Sequence, residues 1–295
     1  MPRIQDIVLT MVFYVYPSKE SAISGDDSGG TGFIYFVPTE FDPKLGYHHA
    51  VTNAHVVFNG DYDPVLRINT KDGKFDIIET SQSQWIRHPD GDDVTVALIS
   101  LRGEIHDYGC FREENVLNEQ FIEEHDVGVG DDVIMVGRFR VNAGKQKNTP
   151  AAMFGNISMM NEEPLYNPFT QLSQESLLVE MRSISGFSGS PVMLYIPNLS
   201  LRPKKQNYEN TWHLRLMGIC WGQINVPVKG YDADNNEYRI TLDSAMTAVV
   251  PIWKILDVIN GEDMKKIRKK LDEVAKKKTS ESPIELMSNI EAEST

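Results

Sequence analysis

Ser185-Gly186-Phe187-Ser188-Gly189-Ser190-Pro191-Val192 is the stretch on which the fold turns. A serine set among glycines, then a proline and an apolar run, reads as a tight turn that delivers a hydroxyl at the mouth of a strand. Two other segments have the same form. Val51-Thr-Asn-Ala-His55-Val-Val is a strand ending in a small-residue turn that presents one histidine. Asp92-Asp93-Val-Thr-Val-Ala-Leu-Ile-Ser-Leu101 sets carboxylates at the mouth of an apolar strand.

The surrounding chain is punctuated in the same way. Short β-branched or aromatic runs are predicted as strands over Ile7–Tyr16, Thr31–Val37, His49–Thr52, Val65–Asn69, Phe75–Glu79, Val94–Leu101, Asp132–Phe139, Met153–Ser158, Leu177–Met181, Val192–Ile196, Leu214–Gly222 and Tyr238–Thr241. Short strands without interleaved long helices point to barrels or a sandwich. Asp132-Val-Ile-Met-Val-Gly is apolar on both faces, as a strand enclosed by two packed layers must be. The polar segment Leu101–Gly130 reads as the connection between two halves, with a short helix over Glu113–Glu124; loops are expected at Pro38–Tyr47 and Arg202–Thr211.

After Pro251, Ile252, Trp253, Ile255, Leu256, Val258 and Ile259 recur at helical spacing, which predicts a helix with one face on the body. The next stretch is lysine-rich: Ile259–Lys278 holds eight Lys/Arg and four Asp/Glu. It reads either as a solvated helix or as a docking helix for a partner or a second copy. Thr279–Thr295 is expected to be a disordered tail.

Composition excludes several classes. The 295 residues are 41% hydrophobic and 24% charged, ordinary globular usage. Lys+Arg 29 against Asp+Glu 42 leaves −13, a poor start for binding nucleic acid or anionic lipid. There is no apolar run of transmembrane length, and the N-terminus does not read as a signal peptide. Two cysteines, Cys110 and Cys220, are too few for a disulfide framework. One bridge between them stays open, but their scarcity fits a reducing compartment, so the cytoplasm is expected. No His/Cys/Glu spacing indicates a metal, and no cofactor is expected.

Together the three segments resemble the trypsin/chymotrypsin-like serine peptidases, nearest to the disulfide-free bacterial Deg/Htr-type branch. Gly30-Thr-Gly-Phe33 and Gly218-Ile-Cys-Trp-Gly222 also match that pattern, and the likeness runs from Ile7 to Asp257. It implies an all-β fold of two six-stranded antiparallel barrels with a C-terminal helix. The corresponding division is residues 1–120 carrying histidine and aspartate, 121–257 carrying serine, and 258–295 forming a charged helix and tail. A PDZ-type module is not expected, since few residues follow Asp257.

The chemistry asks for these residue types independently. A serine hydroxyl is a weak nucleophile that needs an adjacent base, and histidine suits that task near neutral pH. A carboxylate fixes the histidine tautomer and stabilises the imidazolium. The resemblance therefore implies Ser188 as nucleophile, His55 as base and then acid, and the N–H groups of Gly186 and Ser188 as an oxyanion hole. Asp90, Asp92 and Asp93 all lie near; Asp93, directly before Val-Thr-Val, fits the orienting role, with Asp92 second. Gly189 is expected to let the chain turn away without crowding the base.

Substrate-binding positions implied are Cys220, Trp221 and Gly222, which would pair with a peptide backbone, and Arg182, which either favours an acidic side chain before the scissile bond or points outward. Phe187, where digestive relatives carry an aspartate, cannot pair with a new N-terminus, so zymogen cleavage is not expected. His48, His49, His88, His106, His125 and His213 are read as structural. The expected activity is a serine endopeptidase acting on polypeptides; the alternatives are a catalytically silent fold that binds peptides or partners, and an esterase using the same triad.

Overall fold

A computed structural model of the chain describes residues 4–25, 29–160, 163–181, 186–196, 214–231 and 236–274. The expectations for Arg182, His213, the Arg202–Thr211 loop and the Thr279–Thr295 tail fall outside these residues.

The first half contains strands β1 (Val12–Tyr16), β2 (Gly30–Pro38), β3 (Gly46–Thr52), β4 (Val65–Asn69), β5 (Phe75–Glu79), β6 (Ile86–Arg87) and β7 (Thr95–Ile99). They form a seven-stranded antiparallel sheet in the order β5-β4-β1-β2-β3-β7-β6. The sheet curls around Phe13, Val15, Ile34, Ala50, Val56, Leu66, Ile68, Trp85 and Ala97. Every residue of β1 is buried, because both its faces have work to do. Phe13 and Val15 enter this core, whereas Tyr14 and Tyr16 face outward under the Arg138 guanidinium, which lies 4.4 Å from the Tyr16 ring centre.

The second half contains β8 (Asp132–Gly137), β9 (Ala151–Met160), β10 (Leu165–Asn167), β11 (Leu172–Gln174), β12 (Leu177–Glu180), β13 (Pro191–Tyr195), β14 (Leu214–Tyr231) and β15 (Glu237–Pro251). Six of them close a barrel, β12-β15-β14-β13-β8-β9, while β10 and β11 pair as a separate hairpin. The fold is thus all-β, with one closed six-stranded barrel and one curled half-barrel. Val133, Ile134, Met135 and Val136 are buried on both faces of β8, as their unbroken apolar run requires. The helix predicted after Pro251 is α5 (Ile252–Ile259); it buries Ile252, Ile255, Val258 and Ile259. A further helix, 262–274, follows Gly261, and Arg268 donates to the C-terminal end of α5 at Ile259 O, 2.7 Å away.

Several boundaries differ from expectation for local reasons. Ile7–Tyr16 is not one strand: Asp6–Thr10 is a short helix, α1, with Asp6 in its first turn and the Thr10 hydroxyl donating back to Ile7 O. Lys19–Ser24 forms α2, capped by Ser18. Glu113–Glu124 splits into a 3-10 turn, Glu113–Asn115, and a helix, α4 (Glu119–His125), whose side-chain cap is Asn118. β14 and β15 continue beyond the barrel as a ribbon, pairing Val226 with Leu242 and Val228 with Ile240. The two cysteines are free thiols. Among the described residues no helix is long and apolar enough to cross a membrane.

Candidate active site

His55 rides on a one-turn helix, α3 (Ala54–Phe58), that follows β3; the predicted turn is therefore helical. The first N–H groups of a helix have no partner within it. Here the Asp93 carboxylate supplies one: Oδ1 accepts the His55 N–H at 2.9 Å, and Oδ2 lies 2.6 Å from His55 Nδ1. A carboxylate can only accept, so Nδ1 carries a proton; in the neutral imidazole the lone pair then lies on Nε2. Asp93 is fully buried. Such a charge is tolerable only when its oxygens are satisfied, and Asn167 Nδ2 gives Oδ2 a further donor at 3.2 Å. Asn53 Nδ2 holds the Asp93 carbonyl at 2.8 Å, tying the start of α3 to the entry of β7.

The neighbouring acid is employed elsewhere. Asp92 Oδ2 lies 3.2 Å from Lys254 Nζ and 3.4 Å from His88 Nδ1. Burial works against the Lys254 charge, but the hydrogen bond and attraction of Asp92 outweigh it and hold the ammonium above its ordinary range. Asp92 and Asp93 thus diverge: one anchors α5, the other meets His55.

Ser188 sits at the junction of the two halves, with Thr31 as the fastener. Thr31 N–H donates to Ser188 O at 2.8 Å. The Thr31 hydroxyl donates to Gly186 O at 2.8 Å and accepts the Arg138 N–H at 2.9 Å. The Thr31 carbonyl accepts from Thr52 Oγ1 at 2.6 Å, next to α3. Gly30 lies where the Ser188 carbonyl and the Val56 side chain converge; a Cβ there would stand 2.9 Å from each. The serine turn and the histidine helix therefore flank the same piece of β2. No hydrogen bond joins the Ser188 hydroxyl to the His55 ring among the described residues.

The glycines around the serine hold positive φ: +108° at Gly186 and +87° at Gly189. Gly189 acts differently from expectation. Its missing side chain makes room for the Thr31 carbonyl rather than for the base, since a Cβ would run into that oxygen. Phe187 is buried. The peptide carrying the Gly186 N–H begins at Ser185, outside the described residues.

Cys220, Trp221 and Gly222 lie on β14 behind the serine turn, with Gly189 N–H donating to Cys220 O and Cys220 N–H to Ser190 O, each at 2.9 Å. Trp221 is buried and its indole N–H donates to Ser176 Oγ at 3.1 Å. Burial, with a lesser push from the Asp93 charge, drives the Cys220 thiol up to about 12. Of the described histidines read as structural, His49 lies between Tyr35 O and Arg268, and His106 meets Asp76 at 3.0 Å.

Sequence reading missed the hairpin β10–β11. Phe169 stacks on the His55 imidazole, centroids 4.2 Å apart and planes at 15°. Beside them opens a cavity of about 260 Å³ lined by His55, Phe58, Arg87, Phe169 and Leu172, among others. Asn167 and Phe169 carry no motif of their own, and only the fold brings them to the pair. Among the described residues no group of three His, Cys, Asp or Glu side chains is disposed to hold a metal.

No family model and no curated protein matches the chain. Among solved structures it is similar to the MamO protease domain from Magnetospirillum magneticum in its apo form, with 14% identity, TM-score 0.48, and 85% of this chain and 97% of that one covered. It is also similar to an inactive serine-to-alanine mutant of Rv3671c from M. tuberculosis H37Rv, with 14% identity, TM-score 0.45 and coverage of 86% and 87%. A third similar structure is the HtrA-type protease AlgW with a decapeptide, with 13% identity, TM-score 0.43 and coverage of 86% and 65%.

Proposed function

We propose that the chain is a serine endopeptidase that cleaves peptide bonds through an acyl-enzyme. The observation that carries this reading is the His55–Asp93 pair: a buried carboxylate that satisfies both the backbone and the ring N–H of one histidine, beside the glycine-flanked serine turn. In this reading Ser188 Oγ attacks the carbonyl carbon, and its proton passes to His55 Nε2. The C–N bond breaks as that proton is delivered to the departing amine. Water then attacks the ester, giving its proton to His55, and Ser188 leaves as the alcohol. Asp93 keeps the imidazole in the required tautomer. The Gly186 and Ser188 N–H groups would receive the oxyanion, a contribution of about 2.7–4 kcal/mol per donor in such sites.

Trp221 and Gly222 would pair with the substrate backbone as an added strand, whereas the Cys220 N–H and carbonyl are taken by Ser190 and Gly189; Arg182 would select an acidic side chain. Two unpaired cysteines favour a cytoplasmic setting. The C-terminal helix remains the surface proposed for a partner or second copy, because Ile267, Leu271 and Val274 are exposed along one side of it. Hydrolysis of casein and of peptides differing at the residue before the scissile bond tests the reading. Wild type should cleave and Ser188→Ala should not; equal cleavage by both would overturn it, and cleavage of small esters alone would favour an esterase.

A further inference from the structure

The His–Asp pair belongs to the first half of the chain, yet its outer supports come from the second. We infer that the hairpin β10–β11 is the positioning element of the pair, with Asn167 setting the Asp93 carboxylate and Phe169 the imidazole plane; this rests on the proposed peptidase reading. Three contacts from one hairpin carry the inference. Asn167 Nδ2 donates to Asp93 Oδ2 at 3.2 Å, Gln174 Oε1 accepts the Asp93 N–H at 2.9 Å, and Phe169 covers a face of His55.

The hairpin is built for that task. Asn167 is completely buried, and its Oδ1 is engaged by the Phe169 N–H at 2.9 Å. With the oxygen occupied, the amide can offer only its NH₂ to the carboxylate, so its orientation is fixed. The Asn167 carbonyl accepts the Gln171 N–H at 2.8 Å, closing the loop that aims Phe169. Immediately after β11, two indoles secure the chain: Trp253 donates to Glu175 Oε1 at 3.0 Å and Trp221 to Ser176 Oγ at 3.1 Å.

Among the described residues the only side chains that hydrogen-bond the Asp93 carboxylate are His55 and Asn167. Cys220, the residue of β14 near Asp93, is a buried protonated thiol and so at most a weak donor. The Phe169 ring also closes toward Gly222, where a Cβ would stand 3.5 Å from it. One aromatic ring thus spans the imidazole and the proposed substrate strand. Among the described residues, the ionisable groups near the pair are the Cys220 thiol and, across the adjoining cavity, Arg87 and Asp92, the last already held by Lys254.

The test compares wild type with Asn167→Ala and Phe169→Ala. A hydrogen bond to a charged group is worth enough that Asn167→Ala should lower kcat about 10- to 100-fold, with KM for a small ester changed less than about twofold. The proton resonance of His55 Nδ1–H should broaden or move upfield, and the acid limb of the kcat/KM pH profile should shift. Asn167→Asp, which keeps an oxygen for Phe169 N–H but exchanges the amide donor for an acid, should show a pH profile displaced from both. Phe169→Ala should broaden the same resonance by admitting water to the ring face. Unchanged Nδ1–H resonance and pH profile in Asn167→Ala would overturn the inference, even if melting temperature falls. The resonance is readable without turnover, so an inactive wild type would defeat the peptidase reading and leave this one still decided.

Discussion

Thr31→Val is the most searching single change to the junction of the two halves. Valine keeps the shape of threonine but removes a fully buried hydroxyl that serves two backbone groups, Gly186 O and the Arg138 N–H. Leaving a buried donor or acceptor unpaired costs about 1–3 kcal/mol, so the pair sums to roughly 2–6 kcal/mol. For a domain of this size each kcal/mol lowers Tm by about 2–4 °C, which puts the expected fall on the order of 5–20 °C. Thr31→Ser keeps both hydrogen bonds and deletes only a methyl, costing about 1 kcal/mol. Release of the Gly186 carbonyl should also loosen the proposed oxyanion site, lowering kcat by up to about 100- to 1000-fold with little change in KM. Urea and thermal unfolding followed by tryptophan fluorescence, alongside ester turnover, read both effects. If Thr31→Val melts with Thr31→Ser, the hydroxyl does not fasten the halves and the reasoning fails.

Other expectations follow from the same geometry. Asp93→Asn should leave the fold intact but replace one of the two acceptor oxygens that fix the His55 tautomer with an NH₂ donor, lowering kcat by about 10⁴-fold; steady-state ester hydrolysis checks it, and a loss under tenfold would deny Asp93 its role. Burial, with the Arg268 charge adding to it, holds His49 far below its ordinary 6.5, at about 3. Below pH 6.5 the unfolded chain takes up a proton that the folded one refuses, so stability should fall toward pH 3 by about 1.4 kcal/mol per unit, and hold steady above 6.5. Urea midpoints across that range should show the slope, and His49→Gln should flatten it. Iodoacetamide should modify the half-buried Cys110 before the fully buried Cys220, whose thiol is held protonated; peptide mapping with Cys220 labelled first would contradict the burial.

The parts of the fold legible in the sequence are those where local chemistry and packing agree. The β8 run and the α5 periodicity each carry their burial in their pattern, and Pro251 marks the start of α5. At Ile7–Tyr16 an apolar run conceals a boundary, because Val8 in the helix is buried just as the residues of β1 are, and only Asp6 hints at a helix. The ribbon beyond Gly222 is not legible for a different reason: a two-stranded ribbon encloses no core, so its strands lack the dense apolar signal of the barrel. Within the site, the separate tasks of Asp92 and Asp93 depend on partners far along the chain, Lys254 for Asp92 and His55 and Asn167 for Asp93. Asn167 and Phe169 were illegible because a single amide and a single ring, without spacing or repetition, acquire meaning only where the chain folds back.

The most direct test of the peptidase reading is the position of a fluorophosphonate adduct, mapped by tandem mass spectrometry on wild type, Ser188→Ala and His55→Ala. A single adduct on Ser188 in wild type, absent from both variants, is the predicted result. An adduct on another serine, or equal labelling of His55→Ala, would contradict the assignment of nucleophile and base.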